Sequence, residues 1–434
     1  MSASDLNRRE FLARSALAAG SALLGNLAGS AAEPPADDPA SWAQFLGPRR
    51  DNLSTETGLN LDWTGKKPPV LWKAPIGSGF SSVAVVGDRV YTMAGRGGRD
   101  LALCLDAKTG KDIWTHDAAP TYLDKQRQGP GPRSTPTYHR GKVYCLLPMG
   151  ELLCINAADG KEVWKADIFK STGAKNPAGE FYYWGMSGSP LVEGDLVVVQ
   201  PGGSQSNSVA AYHKDTGKLV WGAGSDPAGY SSAIAVTAGG KRQIISYTGQ
   251  SVLSVEPAKG EVLWRYVIGN KFDCNCATPL WIDNTLFVSS AYGTGSAALE
   301  IVADGAKPAV KEKWRNKNLQ NQFTTSVIVG GHIYGSHGDL GAKMLRCVDL
   351  ASGQVKWEDR RPAKCSLLGF EKHLLVLSEN GTVRLVEANP TAYTVKGELD
   401  GIVNFKCWSA PVLLDKRLYL RDDKQLVCLD LAKG

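Results

Sequence analysis

The stretch Leu101-Ala-Leu-Cys-Leu-Asp-Ala-Lys-Thr-Gly-Lys-Asp-Ile-Trp114 decides the fold, because the chain repeats it. Further copies are Glu151-Leu-Leu-Cys-Ile-Asn-Ala-Ala-Asp-Gly-Lys-Glu-Val-Trp164, Val209-Ala-Ala-Tyr-His-Lys-Asp-Thr-Gly-Lys-Leu-Val-Trp221 and Met344-Leu-Arg-Cys-Val-Asp-Leu-Ala-Ser-Gly-Gln-Val-Lys-Trp357. Ser251-Val-Leu-Ser-Val-Glu-Pro-Ala-Lys-Gly-Glu-Val-Leu-Trp264 keeps the frame. In each copy a glycine stands four residues before a tryptophan. A phrase of fixed length that recurs marks a repeat architecture, one supersecondary unit stacked several times.

Ahead of these phrases lie paired β-rich runs joined by turn dipeptides. Gly87-Asp88, Arg140-Gly141, Gly194-Asp195 and Asp283-Asn284 are such turns, and they read as tight hairpins. The Asp-x-x-x-Gly segment of the phrase is a second turn, with glycine where φ is positive. The apolar run that ends in Trp suits a fourth strand. One unit is therefore four antiparallel strands, a propeller blade. Trp72, Trp114, Trp164, Trp221, Trp264, Trp314 and Trp357 mark seven units. Each large ring is expected to dock one blade on the next, its N–H bonded to a neighbouring carbonyl. Between Cys365 and Leu399 the phrase Thr382-Val-Arg-Leu-Val-Glu-Ala-Asn-Pro is worn and has no Trp. The last unit stops at Gln425-Leu-Val-Cys-Leu-Asp-Leu-Ala-Lys-Gly434 without a closing strand, while Lys67-Pro-Pro-Val-Leu-Trp72 is a strand without a blade. The expectation is an all-β, eight-bladed propeller of four-stranded antiparallel blades, the last closed by that N-terminal strand. Closure removes free sheet edges.

Three segments follow: a leader over 1–32, an extended arm over 33–65 and the propeller over 66–434. The leader carries Asn7-Arg8-Arg9-Glu10-Phe11-Leu12, a weakly apolar run from Ser15 to Gly29, and Ser30-Ala31-Ala32 as a small-residue cleavage site. This is a twin-arginine export pattern and predicts a periplasmic or otherwise exported protein. The run is short and soft for a membrane span, so the mature chain is expected to have none. The first cysteine is Cys104, which leaves no lipid attachment point near the leader. In the arm, Trp42-Ala-Gln-Phe-Leu-Gly-Pro48 is expected to pack on the domain surface.

Composition is that of an ordinary globular chain, 43% hydrophobic and 21% charged, with a formal net charge of +6 over 434 residues. No Lys/Arg run or basic helix accompanies that charge, which argues against nucleic acid as a partner.

The repeated phrase resembles the tryptophan-docking repeat of the quinoprotein dehydrogenases, and equally that of the propeller scaffold of the outer-membrane β-barrel assembly machine. The resemblance covers about residues 66–434. It implies an eight-bladed propeller and, on the dehydrogenase side, pyrroloquinoline quinone (PQQ) with Ca²⁺ held by Glu, Asn and Asp beneath a vicinal Cys–Cys disulfide. The nearest counterpart to that disulfide is Cys274-Asn275-Cys276, which is not vicinal. No residue matches the Ca²⁺ ligands or the Asp base, so no catalytic residue is assigned.

Nine cysteines leave at least one unpaired. Cys104, Cys154, Cys347 and Cys428 occupy one repeat position and read as small apolar fillers. Cys274, Cys276, Cys365 and Cys407 each lie just ahead of an innermost strand. If gathered at one end of the channel they would form structural disulfides, inert thiols, or a Zn²⁺ or other soft-metal site. Arg133 at the channel mouth reads first as a solvated side chain, second as an anion holder. The segments 118–133 and 167–185 read as inter-blade connections that could also cover a pocket. No nucleophile elbow, P-loop or zinc-protease helix is present. The expected function is an exported, monomeric, non-enzymatic binding or scaffold module of the cell envelope, with an envelope protein or a small ligand at the channel mouth. The alternative is a PQQ-dependent dehydrogenase.

Overall fold

The computed structural model describes residues 41–432 except Gly179, Ser204, Leu340 and Ala342; the expected leader lies outside them. Eight sheets radiate around a channel, each built on four antiparallel strands as expected, and one of them gains a short fifth strand. From the channel outward, blade 1 runs Ala84–Val86, Arg89–Arg96, Arg99–Asp106 and Asp112–Pro120. Blades 2 to 7 follow over 137–167, 191–223, 234–267, 280–316, 327–359 and 365–399. Blade 8 takes three strands from 412–430 and its outermost strand, Val70–Pro75, from the N-terminal side, with Trp72 opposite Cys428. The ring thus closes as the sequence predicts. Among the described residues no helix is long and apolar enough to cross a membrane.

The phrase folds into two complementary parts. Its Asp-x-x-x-Gly turn is a socket: Asp106 Oδ1 accepts the Lys108 and Thr109 amides at 3.0 and 2.8 Å. The backbone carbonyl after the Asp then faces the preceding blade. Its Trp is the plug for the next socket. Trp72 donates to Ala107 O at 3.0 Å, Trp114 to Ala157 O at 3.0 Å, and Trp164 to Lys214 O at 2.8 Å. Trp221 donates to Pro257 O at 2.8 Å, Trp314 to Leu350 O at 2.8 Å, and Trp357 to Asn389 O at 2.7 Å. The socket glycine lets the ring approach: a Cβ on Gly110 would lie 2.5 Å from the Trp72 ring, and one on Gly217 2.5 Å from Trp164.

Two seams depart from the rule. Blade 5 replaces its socket with a long hairpin, Gly295–Asp304 and Lys307–Asn316. Trp264, facing it, donates instead to Gln243 Oε1 of its own blade at 2.7 Å. In blade 7 the Trp position is Gly397, paired with Leu385 as Trp357 is with Cys347. Trp63 of the arm takes the vacant place. Its Cβ lies 2.5 Å from where a Gly397 Cβ would stand, and its ring is buried among residues of blades 7 and 8. The Leu431 carbonyl, the socket atom of blade 8, accepts Asn60 N of the arm at 2.7 Å.

Residues 41–54 do not pack on the surface, where the aromatic cluster was expected; they thread the channel. Trp42 pairs with Val85 of blade 1, and Tyr138 N of blade 2 donates to Ala43 O at 2.8 Å. Arg50 is fully buried and donates to Ser189 O and Ala233 O at 3.2 and 2.9 Å and to Pro190 O, linking blades 3 and 4. Asn52 donates to Leu367 O, and Leu53–Ser54 adds a parallel strand to the inner edge of blade 7. The channel backbone groups explain this course. Inner strands expose unpaired backbone donors and acceptors, and the arm supplies partners to both.

Replacing Trp63 with alanine should destabilise the protein by about 3–5 kcal/mol, the usual cost of deleting a buried indole. The check is a lower urea midpoint, with the double variant Trp63→Ala/Gly397→Trp recovering part of the loss.

Candidate ligand-binding site

All eight innermost strands begin at one end of the channel, and the residues just ahead of them surround a cavity of about 300 Å³. The arm supplies its floor through Phe45, Leu46 and Asn52. The two long connections supply its cover. In the second, helix α1 (Ile168–Thr172) is capped by Asp167, which accepts from Phe169 N and Lys170 N at 3.0 Å each. The connections are bonded to each other, Tyr122 Oη to Tyr183 O at 2.9 Å and Gln126 Nε2 to Phe181 O at 3.3 Å. They bring Gln126, Gln128, Arg133 and Trp184 onto the cavity.

One wall is a stack of three rings faced by three cations. Trp408 lies between Phe80 and Phe323, with centroid distances of 4.9 Å on each side. The Arg133 guanidinium is 5.2 Å from the Phe80 ring, Lys364 Nζ 4.8 Å from Phe323 and Lys406 Nζ 4.9 Å from Trp408. Ring quadrupoles attract cations at these distances. Arg133 is not the solvated side chain first expected. It is 13% exposed and paired at 3.3 Å with Asp124, itself 1% exposed. Burial lowers the pKa of Arg133, and Asp124 opposes that shift. Lys364 has a weaker anchor. Its Nζ donates to the neutral Gln322 Oε1. Burial, with repulsion from Lys343, brings its pKa down to about 8, while Glu379 and Asp339 pull the other way.

The facing wall carries hydroxyl-bearing rings and thiols. Trp184 meets Tyr230 edge-on at 5.6 Å, and Phe272 meets Tyr292 at 5.2 Å. Gln322 Nε2 donates to Tyr292 Oη at 2.8 Å. Of the four cysteines considered together in the sequence, the structure brings two to the cavity. Cys274 and Cys276 line it with sulfurs 3.7 Å apart. Either thiol can donate to the other; their mutual hydrogen bond lowers the Cys274 pKa and raises that of Cys276. Cys365 packs in the seam between blades 6 and 7. Cys407 is buried between blades 7 and 8, its Sγ donating to Asn404 O at 2.8 Å. The four-thiol set is therefore not assembled, because strand starts that share one end of the channel still point side chains into different seams. Among the described residues no group of three or more His, Cys, Asp or Glu is placed to hold a metal ion.

The lining does not suit PQQ with Ca²⁺ as a pair. Among the described residues none that lines the cavity is acidic, so they offer it none of the carboxylate ligands that a hard cation requires. The cations and flat rings suit a planar organic anion, but the metal half of the pair does not fit. Sequence reasoning missed Lys364, Phe80, Phe323 and Trp408, which come from four different blade junctions. Their common signal was available: each lies a few residues ahead of an innermost strand, as Arg133 does.

The class that fold and site define is an eight-bladed propeller of PQQ-type repeats with a ligand-sized cavity at one channel end. The family model described as outer membrane protein assembly factor BamB matches residues 98–359, and the chain belongs to that family. A tetrathionate hydrolase from Acidithiobacillus ferrooxidans is 24% identical over 323 residues, 68% of this chain and 58% of the hydrolase; the chain thus spans little more than half of that relative. BamB from Moraxella catarrhalis superposes with a TM-score of 0.57 at 14% identity, over 82% of this chain and 99% of that one. The quinohemoprotein alcohol dehydrogenase of Comamonas testosteroni gives 0.64 at 12% identity, over 91% and 81%. These likenesses establish the fold.

Lys364 makes stability depend on pH. Between about 8 and its usual 10.5 the unfolded chain holds a proton on this amine that the folded chain has lost. Stability gains an increment as pH rises through that window. In Lys364→Met that increment should disappear from the difference between denaturation midpoints measured at pH 7.5 and pH 10.

Proposed function

We propose that this protein is an exported binding propeller of the cell envelope that takes a small organic anion with an aromatic body in its channel-end cavity. One observation carries this reading: Arg133 and Lys364 line a cavity that contains aromatic faces and, among the described residues, no acidic one. A cation held mainly by a neutral amide and a ring gains from an anionic ligand. A cavity of about 300 Å³ matches the lower end of small-molecule sites. The twin-arginine pattern supports export. The likeness to a BamB propeller supports a binding role, though fold alone does not assign one. The dehydrogenase reading, suggested by the quinoprotein neighbours, is opposed by the acid-free lining.

Calorimetric titration with aromatic carboxylates and their neutral amides tests the proposal. Carboxylates should bind and amides should not. Arg133→Met and Lys364→Met should each weaken binding at least tenfold, about 1.4 kcal/mol. Affinity should fall as pH rises past about 8, where Lys364 loses its charge. PQQ is itself a planar carboxylate, so its binding alone decides nothing. Dye-linked alcohol oxidation after loading with PQQ and Ca²⁺ would replace this reading with the dehydrogenase one.

A further inference from the structure

The loop that carries Cys274 and Cys276 is held far more firmly than a connection needs. Asn275 between them is fully buried. Its Nδ2 donates to Thr248 O and Gly249 O at 2.8 Å each, and its Oδ1 accepts from Asn270 Nδ2 at 3.0 Å. Its carbonyl accepts Tyr230 N at 2.9 Å. Asn270 closes the loop from the other side, accepting Cys274 N at 3.2 Å and donating to Cys274 O at 3.0 Å. With the middle residue clamped inward, its two neighbours are both presented to the cavity. The result is a preorganised dithiol with sulfurs 3.7 Å apart. That distance has a chemical meaning. Two sulfurs at 2.3 Å from a tetrahedral metal ion stand about 3.8 Å from each other.

We propose that Cys274 and Cys276 chelate one thiophilic d¹⁰ metal ion, of the Zn²⁺ or Cu⁺ class, on the cavity wall. Binding takes two S–H protons to solvent for two metal–sulfur bonds, with no change of oxidation state. The lining favours a soft ion, because it offers thiols and no carboxylate. Two tetrahedral positions remain for water or for oxygens of a bound ligand, the arrangement of an open rather than a closed site. The proposal stands apart from the anion-binding reading, since it uses neither Lys364 nor a carboxylate ligand.

The test is metal titration of the purified full chain, kept reduced with a phosphine. Zn²⁺ affinity is read by competition with a chromophoric chelator, and Cd²⁺ reports sulfur ligation through its ultraviolet thiolate charge-transfer band. One equivalent per chain is expected. Cys274→Ser and Cys276→Ser should each weaken it at least tenfold, and Lys364→Met should retain it. No saturable uptake, or uptake unchanged in the double serine variant, would overturn the proposal. If the serine variants do not fold, phenylarsine oxide replaces them: it bridges two thiols with loss of water. Peptide mapping of the wild type should place the arsenic on residues 274–276, and its appearance elsewhere overturns the proposal equally.

Discussion

The structure depends on a tryptophan of one blade entering a turn of the next. The indole N–H needs an acceptor when the ring is buried, and a backbone carbonyl of the next blade's turn supplies one at 2.7–3.0 Å at six seams. The contact is local in energy and global in effect, because each sheet buries its faces only against its neighbours. Plug and socket lie in the same repeat, so each blade specifies its neighbour's position. Four of the plugs also lean on a tyrosine of their own blade's second strand. Tyr419, Tyr91, Tyr144 and Tyr334 lie 5.9–6.1 Å from Trp72, Trp114, Trp164 and Trp357.

Where the repeat fails, the N-terminal arm repairs it, and the repair shapes the site. Gly397 leaves a gap that Trp63 fills, which ties the arm to the seam of blades 7 and 8. From there the chain must reach back across the channel, where Asn52 and Arg50 find carbonyls of blades 7, 3 and 4. Arg50 is costly to bury, and burial brings its pKa down to about 9. Its hydrogen bonds to three carbonyls just ahead of the inner strands of blades 3 and 4 compensate for lost water. Because the arm occupies the channel, the space above it becomes a closed-floored cavity in place of a pore.

The cavity concentrates unlike chemistry on opposite walls. The Phe80–Trp408–Phe323 stack lets cations sit at a poorly hydrated surface, since a ring face partly substitutes for an anion. The dithiol wall is polarisable and acid-free. Such a division orients a ligand by its charged end on one side and its body on the other. Nothing in the fold demands this; it is written on loops ahead of the innermost strands, where a rigid scaffold tolerates variation.

The repeat made the propeller, its eight blades and the borrowed strand around Trp72 legible from sequence, because each rests on local patterns: alternation, turn glycines and a Gly–Trp spacing. The cysteines that share the repeat position were legible as core for the same reason. Trp63, Arg50 and the channel-threading arm were not, since nothing near them in the chain shows that blade 7 lacks its tryptophan or that inner carbonyls lack donors. The site was half legible. That strand starts gather at one channel end follows from topology, but which side chains face the cavity does not. Cys276 and Cys407 occupy similar places ahead of their strands, yet the Asn270–Asn275 clamp turns one toward the ligand space and the core of blades 7 and 8 takes the other. Local propensity and period belong to the sequence alone; the direction of a loop side chain is settled by partners outside the loop, such as Thr248 and Tyr230 for Asn275, and only tertiary structure brings those partners together.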